Sequence, residues 1–125
     1  MNYLFGIIPT PTPMESRSLV YDLKTRLDWG EPGLTIVDVR DRSLFNQSHI
    51  TGAISLPLSE LVNRALKSLP LNRDIYVYSD TDEEAAEAAN LLRNVGYRQV
   101  SELRGGLGAW KAVGFPVEAI CLVGN

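Results

Sequence analysis

The stretch Ile75-Tyr76-Val77-Tyr78-Ser79-Asp80-Thr81-Asp82-Glu83-Glu84-Ala85 contains the turn on which the reading of this chain depends. Its first four residues are β-branched or aromatic without a break, the pattern of a short strand covered on both faces. Its second half opens a helix. Thr81 followed by Glu84 fits a capping box, and acids in the first turn favour a helix start through the helix dipole. Ala85, Ala88 or Ala89, Leu92 and Val95 then share one stripe that stops at Gly96, and the small residues allow close packing on a sheet. Ser79 to Glu84 therefore lie at the carboxyl end of a strand, where open parallel sheets hold their ligands.

The same alternation extends outward. Leu34 to Val39 is a second apolar run rich in β-branched residues, and Ala53 to Leu56 and Gln99 to Glu102 read as further short strands. Ser59 to Leu69 reads as an amphipathic helix closed by Pro70, and Leu107 to Val113 as a helix carrying Trp110 inward. Near the start, Thr12 suits an N-cap, Pro13 the first helical position and Glu15 the third position of a capping box. A helix is expected from there, with Leu19, Leu23 and Leu27 on one face beside Val20, ending at Gly30 or Pro32. Strands alternating with helices imply crossover connections and a mainly parallel sheet, so Asp38-Val39-Arg40 should share an edge with Ser79 to Glu84.

With 125 residues, 45% of them hydrophobic, the chain is long enough for one two-sided core and too short for a second. Residues 1–12 are expected to form an N-terminal arm and residues 13–125 a single domain. The arm's apolar run, Tyr3 to Ile8, is expected to be covered by the chain's own sheet or by a second subunit, which makes a homo-oligomer one expectation. Twelve basic against fifteen acidic residues give a net charge of -3 and no basic stripe, which argues against nucleic acid as partner. The apolar start lacks a cationic flank and is interrupted by Pro9, so neither a signal peptide nor a membrane span is expected. A single cysteine, Cys121, leaves no intramolecular disulfide and fits a reducing compartment, with the cytoplasm the default.

Several segments in this order resemble the rhodanese-like family: Leu34 to Arg40; His49-Ile50-Thr51-Gly52-Ala53-Ile54-Ser55-Leu56-Pro57; Ile75 to Ala89; Leu103-Arg104-Gly105-Gly106-Leu107-Gly108-Ala109-Trp110; and Gly114-Phe115-Pro116-Val117. The resemblance covers residues 33–117. It implies an α/β, three-layer fold of about five mostly parallel strands with helices on both faces. It also implies a sulfurtransferase site, in which a cysteine directly after the strand precedes a loop of the form Arg-x-Gly-x-Arg-Ser. Backbone N–H groups and the helix N-terminus there lower the thiol pKa and cradle an anion, so that the thiolate can take a sulfane sulfur from a donor such as thiosulfate. Aligned without gaps, Ser79 stands at the cysteine, Asp80 and Glu84 at the two arginines and Asp82 at the glycine.

Serine cannot store a persulfide, and its hydroxyl is a poor nucleophile without an adjacent base, of which none is evident in the sequence. A negative charge about 5 Å from an anionic donor opposes binding by roughly 1 to 3 kcal/mol at effective dielectric constants of about 80 down to 20. The acids Asp80, Asp82, Glu83 and Glu84 would thus disfavour the family's donors, and they are expected to fill the anion seat themselves. In the family's pattern Asp38 and Arg40 support the active loop, and His49 has a structural hydrogen-bonding role. Cys121, in an apolar tail, reads as a small hydrophobe rather than a nucleophile. Gly105-Gly106-Leu107-Gly108 lacks dinucleotide-loop spacing and reads as a tight turn before Trp110.

The expectation is a catalytically silent binding or regulatory module without cofactor or metal, whose partner is an unnamed protein or small ligand. Two alternatives stand beside it: a transferase working through Ser79 or Cys121, and a divalent-cation site in the acidic loop.

Overall fold

A strand of five residues, β5 (Asp74–Tyr78), runs through the centre of the molecule and sorts its side chains by alternation. Ile75 and Val77 point to one face of the sheet, Tyr76 and Tyr78 to the other, and all four are buried. The computed structural model describes residues 14–120. Within them β5 is joined by β1 (Arg17–Ser18), β2 (Leu34–Asp38), β4 (Ile54–Ser55) and β6 (Val100–Leu103) in the order β1-β6-β5-β2-β4. All four neighbouring pairs are parallel, with Val37 opposite Val77 and Val77 opposite Glu102.

Helices cover both faces. The small-residue stripe of α4 (Asp82–Asn94), Ala88, Ala89 and Leu92, packs with Leu61 and Ala65 of α3 (Leu61–Ser68) over Val37, Ile75, Val77 and Val100. On the other face, Val20 and Leu23 of α1 (Val20–Asp28), Phe45 of α2 (Arg42–Gln47) and Trp110 of α5 (Gly106–Ala112) enclose Ile36, Tyr76, Tyr78 and Leu103. This is the expected three-layer α/β arrangement. A separate antiparallel ribbon pairs β3 (His49–Ile50) with β7 (Val117–Glu118). No helix among the described residues is long and apolar enough to cross a membrane.

The start of the first helix differs from expectation. Glu15 precedes it in open chain, Arg17–Ser18 is a strand, and helix α1 begins at Val20. The reason is pairing at a distance: the carbonyls of Ser16 and Ser18 accept from the N–H groups of Glu102 and Arg104, each at 2.9 Å. These sheet bonds compete successfully with a local helix start. Leu19, expected on the core stripe, becomes the N-cap and is 58% exposed, while the Asp22 carboxylate accepts its N–H at 2.9 Å. Thr12, Pro13, the arm of residues 1–12 and Cys121 lie outside the described residues.

Candidate functional site

At the carboxyl edge of the sheet the ends of β2 and β5 open into a cleft of about 560 Å³, lined among others by Arg40, Ser79, Asp80 and Glu84. The two motifs expected on one edge are thus in one place. Asp38, the last residue of β2, is wholly buried and grips Arg40: its oxygens accept the arginine's backbone N–H at 3.0 Å and its Nε and Nη2 at 3.0 and 2.8 Å. Arg40 Nη2 also donates to the Ser48 carbonyl at 2.6 Å. Burial works against the guanidinium's charge. The hydrogen bonds and charge of Asp38 outweigh it, helped by Tyr78 and Asp80, so the Arg40 pKa rises.

Beneath this pair lies Tyr78. Its hydroxyl accepts the Ile50 N–H at 3.1 Å, within the field of the Asp38 carboxylate. Burial first, then the Asp38 charge, push the phenol well above its ordinary pKa. Asp38, Arg40, Tyr78 and the carbonyl of Ser48 therefore form one satisfied polar cluster that anchors the sheet edge.

Ser79 sits above it, almost fully buried. Its Oγ donates to Glu84 Oε1 at 3.2 Å, so a carboxylate does stand beside the hydroxyl, a base not evident from the order of residues. The cause is the helix cap. Thr81 Oγ1 accepts the Glu84 N–H at 3.1 Å, and this fixes the first turn of α4 with the Glu84 side chain folded back over Ser79. The reciprocal half of the capping box is replaced by that contact. Behind Ser79 runs Gly106 in a left-handed conformation, φ +52°; a Cβ there would stand 2.6 Å from the Ser79 carbonyl oxygen. Only glycine lets the start of α5 approach the loop this closely.

The four acids do not converge. Asp80 Oδ1 faces Arg40 Nη1 at 3.7 Å, Glu84 takes Ser79, and Asp82 turns away to accept the Gly105 N–H at 2.9 Å and face Arg104 Nε at 3.4 Å. Glu83 lines a smaller depression on that second side, with Arg17 and Arg104. The loop therefore does not bring all four carboxylates to the anion seat: Asp80 and Glu84 line the cleft beside Ser79, while Asp82 and Glu83 line the second depression. Nor does it form a cage of the kind a divalent cation requires, and among the described residues no group of three or more His, Cys, Asp or Glu side chains could hold a metal.

His49 is buried but does not line the cleft. Its Nδ1 is hydrogen-bonded to the Phe45 carbonyl at 2.7 Å, its ring stacks on Phe45 with centroids 3.7 Å apart, and Nε2 lies 3.5 Å from Glu118 Oε1. The cleft also has walls the sequence reading passed over: Asp41, Leu44, Pro57, Leu58, Glu87 and Leu91. Glu84, Glu87 and Leu91 were recoverable from helical spacing, since positions i, i+3 and i+7 share a face.

Comparison with known proteins fits this geometry. The family model described as "Rhodanese-like domain" matches residues 19–113. The crystal structure of the Alr3790 protein from Anabaena sp. superposes with a TM-score of 0.81 at 56% identity, covering 82% of this chain and 80% of that one. A sulfurtransferase of Allochromatium vinosum is 32% identical over 84 residues, 67% of this chain and 78% of its own length. The HTH-type transcriptional regulator Rv0324 of Mycobacterium tuberculosis is 36% identical over 106 residues, 83% of this chain. The chain spans less than half, 45%, of that regulator's length.

Proposed function

Because the chain belongs to the rhodanese-like domain family, we propose that it keeps the family's scaffold and cleft as a binding or regulatory module without sulfur transfer. The observation that carries this reading is the side chain at the strand-to-helix junction. There stands Ser79, whose Oγ is engaged by Glu84; on our reading it takes the place of the family's cysteine. An alcohol stores no sulfane sulfur. The surroundings reinforce the point: Arg40, the guanidinium lining the cleft, is committed to Asp38, and the side chains of Asp80 and Glu84 present negative charge where an anionic donor would have to approach.

Relatives named as sulfurtransferases favour a second reading, transfer through Ser79 or Cys121. The Ser79–Glu84 contact gives it little support. A solvated carboxylate is far too weak a base to take the proton of an alcohol, and the pair has no third group to orient it. The test is a thiosulfate-to-cyanide sulfur-transfer assay on the intact chain. No turnover above the uncatalysed rate is the expected result, and turnover comparable with active family members would overturn the reading. If turnover is found, loss of it in Cys121→Ala but not in Ser79→Ala identifies the cysteine as its source.

A further inference from the structure

The cleft has two kinds of wall, and together they select a ligand. Leu44, Pro57, Leu58 and Leu91 form an apolar side, while Asp41, Asp80, Glu84 and Glu87 bring four carboxylates to the same concavity. Against them stands one guanidinium, Arg40, neutralised by the buried Asp38 at 2.8 Å and tied to the Ser48 carbonyl. The Asp41 side chain makes no cap hydrogen bond to α2, and neither Asp41 nor Glu87 has an ion-pair partner among the described residues. An anion entering here meets uncompensated negative charge; a cation on an apolar stem meets charge and surface that both suit it.

We infer that the cleft receives a lysine or arginine side chain carried beside an aliphatic residue on an extended segment of a partner protein. This rests on the reading of the chain as a binding module and names the chemistry of what it binds. The alkyl stem lies along Pro57, Leu58 and Leu91, and the charged head sits among Asp41, Asp80 and Glu87. A volume of about 560 Å³ lies within the range of about 300–1,000 Å³ typical of ligand pockets, which leaves room for the neighbouring aliphatic side chain as well.

The experiment is a two-dimensional ¹H–¹⁵N NMR titration of the intact chain with three probes: acetyl-Leu-Lys-Leu-amide, acetyl-Leu-Glu-Leu-amide and spermine. The lysine peptide is expected to shift amides of residues 39–41, 58–59 and 79–87, saturating in the millimolar range, and the glutamate peptide to leave them in place. Asp41→Asn and Glu87→Gln, surface changes whose own spectra report an intact fold, should each weaken the lysine peptide by about three- to fivefold, and added salt should weaken it further. Binding of the glutamate peptide at the same amides overturns the inference. So does silence of the lysine peptide throughout the millimolar range, or spermine binding there when the peptide does not. Thiosulfate turnover would overturn the proposed function instead, whereas a silent lysine peptide on a chain without turnover overturns this inference alone.

Discussion

Two hydrogen-bonded pairs stand side by side on one sheet edge and differ in what surrounds them. Asp38 and Arg40 are buried, joined by several hydrogen bonds, and tied through Tyr78 and Ser48 to the neighbouring backbone. Ser79 and Glu84 share a single contact of 3.2 Å, and Glu84 is open to solvent. The first pair cannot lose a member without leaving a charge in a desolvated place. The second can be rewritten at little cost to the fold, because a change at Ser79 leaves only the solvated Glu84 carboxylate to find another partner. A scaffold in which the anchor is a buried charge pair, and the reactive position is held by a single contact to a solvated carboxylate, can change its chemistry without changing its architecture.

The largest effect should come from breaking the buried pair. Asp38→Ala leaves the Arg40 guanidinium without its counter-charge, and removing one partner of a buried ion pair costs about 3–5 kcal/mol. Chemical denaturation should show a midpoint shift of that size with an unchanged slope. A loss below about 1 kcal/mol, the range of exposed pairs, would erase the distinction between the two pairs.

Next in size is Tyr78, which joins the anchor to β3. Tyr78→Phe removes the acceptor of the buried Ile50 N–H, at a cost of about 1–3 kcal/mol for the group left unsatisfied. Its pH signature is distinctive. The phenol's folded pKa is raised, so the folded state holds this proton more tightly than the unfolded one. The stabilisation is complete below the unfolded phenol pKa of about 10 and is lost as pH rises from there toward the folded value. The wild-type chain should therefore weaken above that pH by more than Tyr78→Phe does, as denaturation midpoints measured across alkaline pH will show. Parallel curves would remove Tyr78 from the cluster.

The contrast between near and far in the chain also decides what the sequence made legible. The run from Ile75 to Val95 was readable because its signals are local: alternation sorts β5, an alanine stripe marks the buried side of α4, and Gly96 adopts φ +112° at the helix end. The region around Arg17 was not, because its pairing with β6 depends on residues some 85 positions away, while Pro13 and Glu15 offered a competing local signal. Helix α2, of six residues, and the two-residue strands β3 and β7 are too short for any periodicity to register. At the site, spacing placed Ser79 and the acids on the correct edge. Where each carboxylate points depends on side-chain contacts such as Gly105 N–H to Asp82, which spacing does not encode.

The smallest stability effect, and the one that bears most on chemistry, belongs to Ser79. Ser79→Ala removes one weak hydrogen bond whose other partner is solvated and should stay within about 1 kcal/mol of the wild type, the net worth of a single such bond. A loss near that of Asp38→Ala would mean that the two pairs are equally structural. Ser79→Cys should be as mild, and it separates the missing nucleophile from the charge around it. The new thiol would face the Glu84 carboxylate with Asp80 nearby, and these charges oppose formation of a thiolate, so its pKa should be high and sulfur transfer absent. Combining Ser79→Cys with Asp80→Arg and Glu84→Arg reverses the local charge while leaving Asp82 to hold the Gly105 N–H. That variant should show a lower thiol pKa, read from alkylation rate against pH, and measurable thiosulfate-to-cyanide transfer. If Ser79→Cys alone gave a low-pKa thiol and full activity, the carboxylates would be electrostatically idle. The proposal that this cleft has turned from anions toward cations would then lose its physical basis.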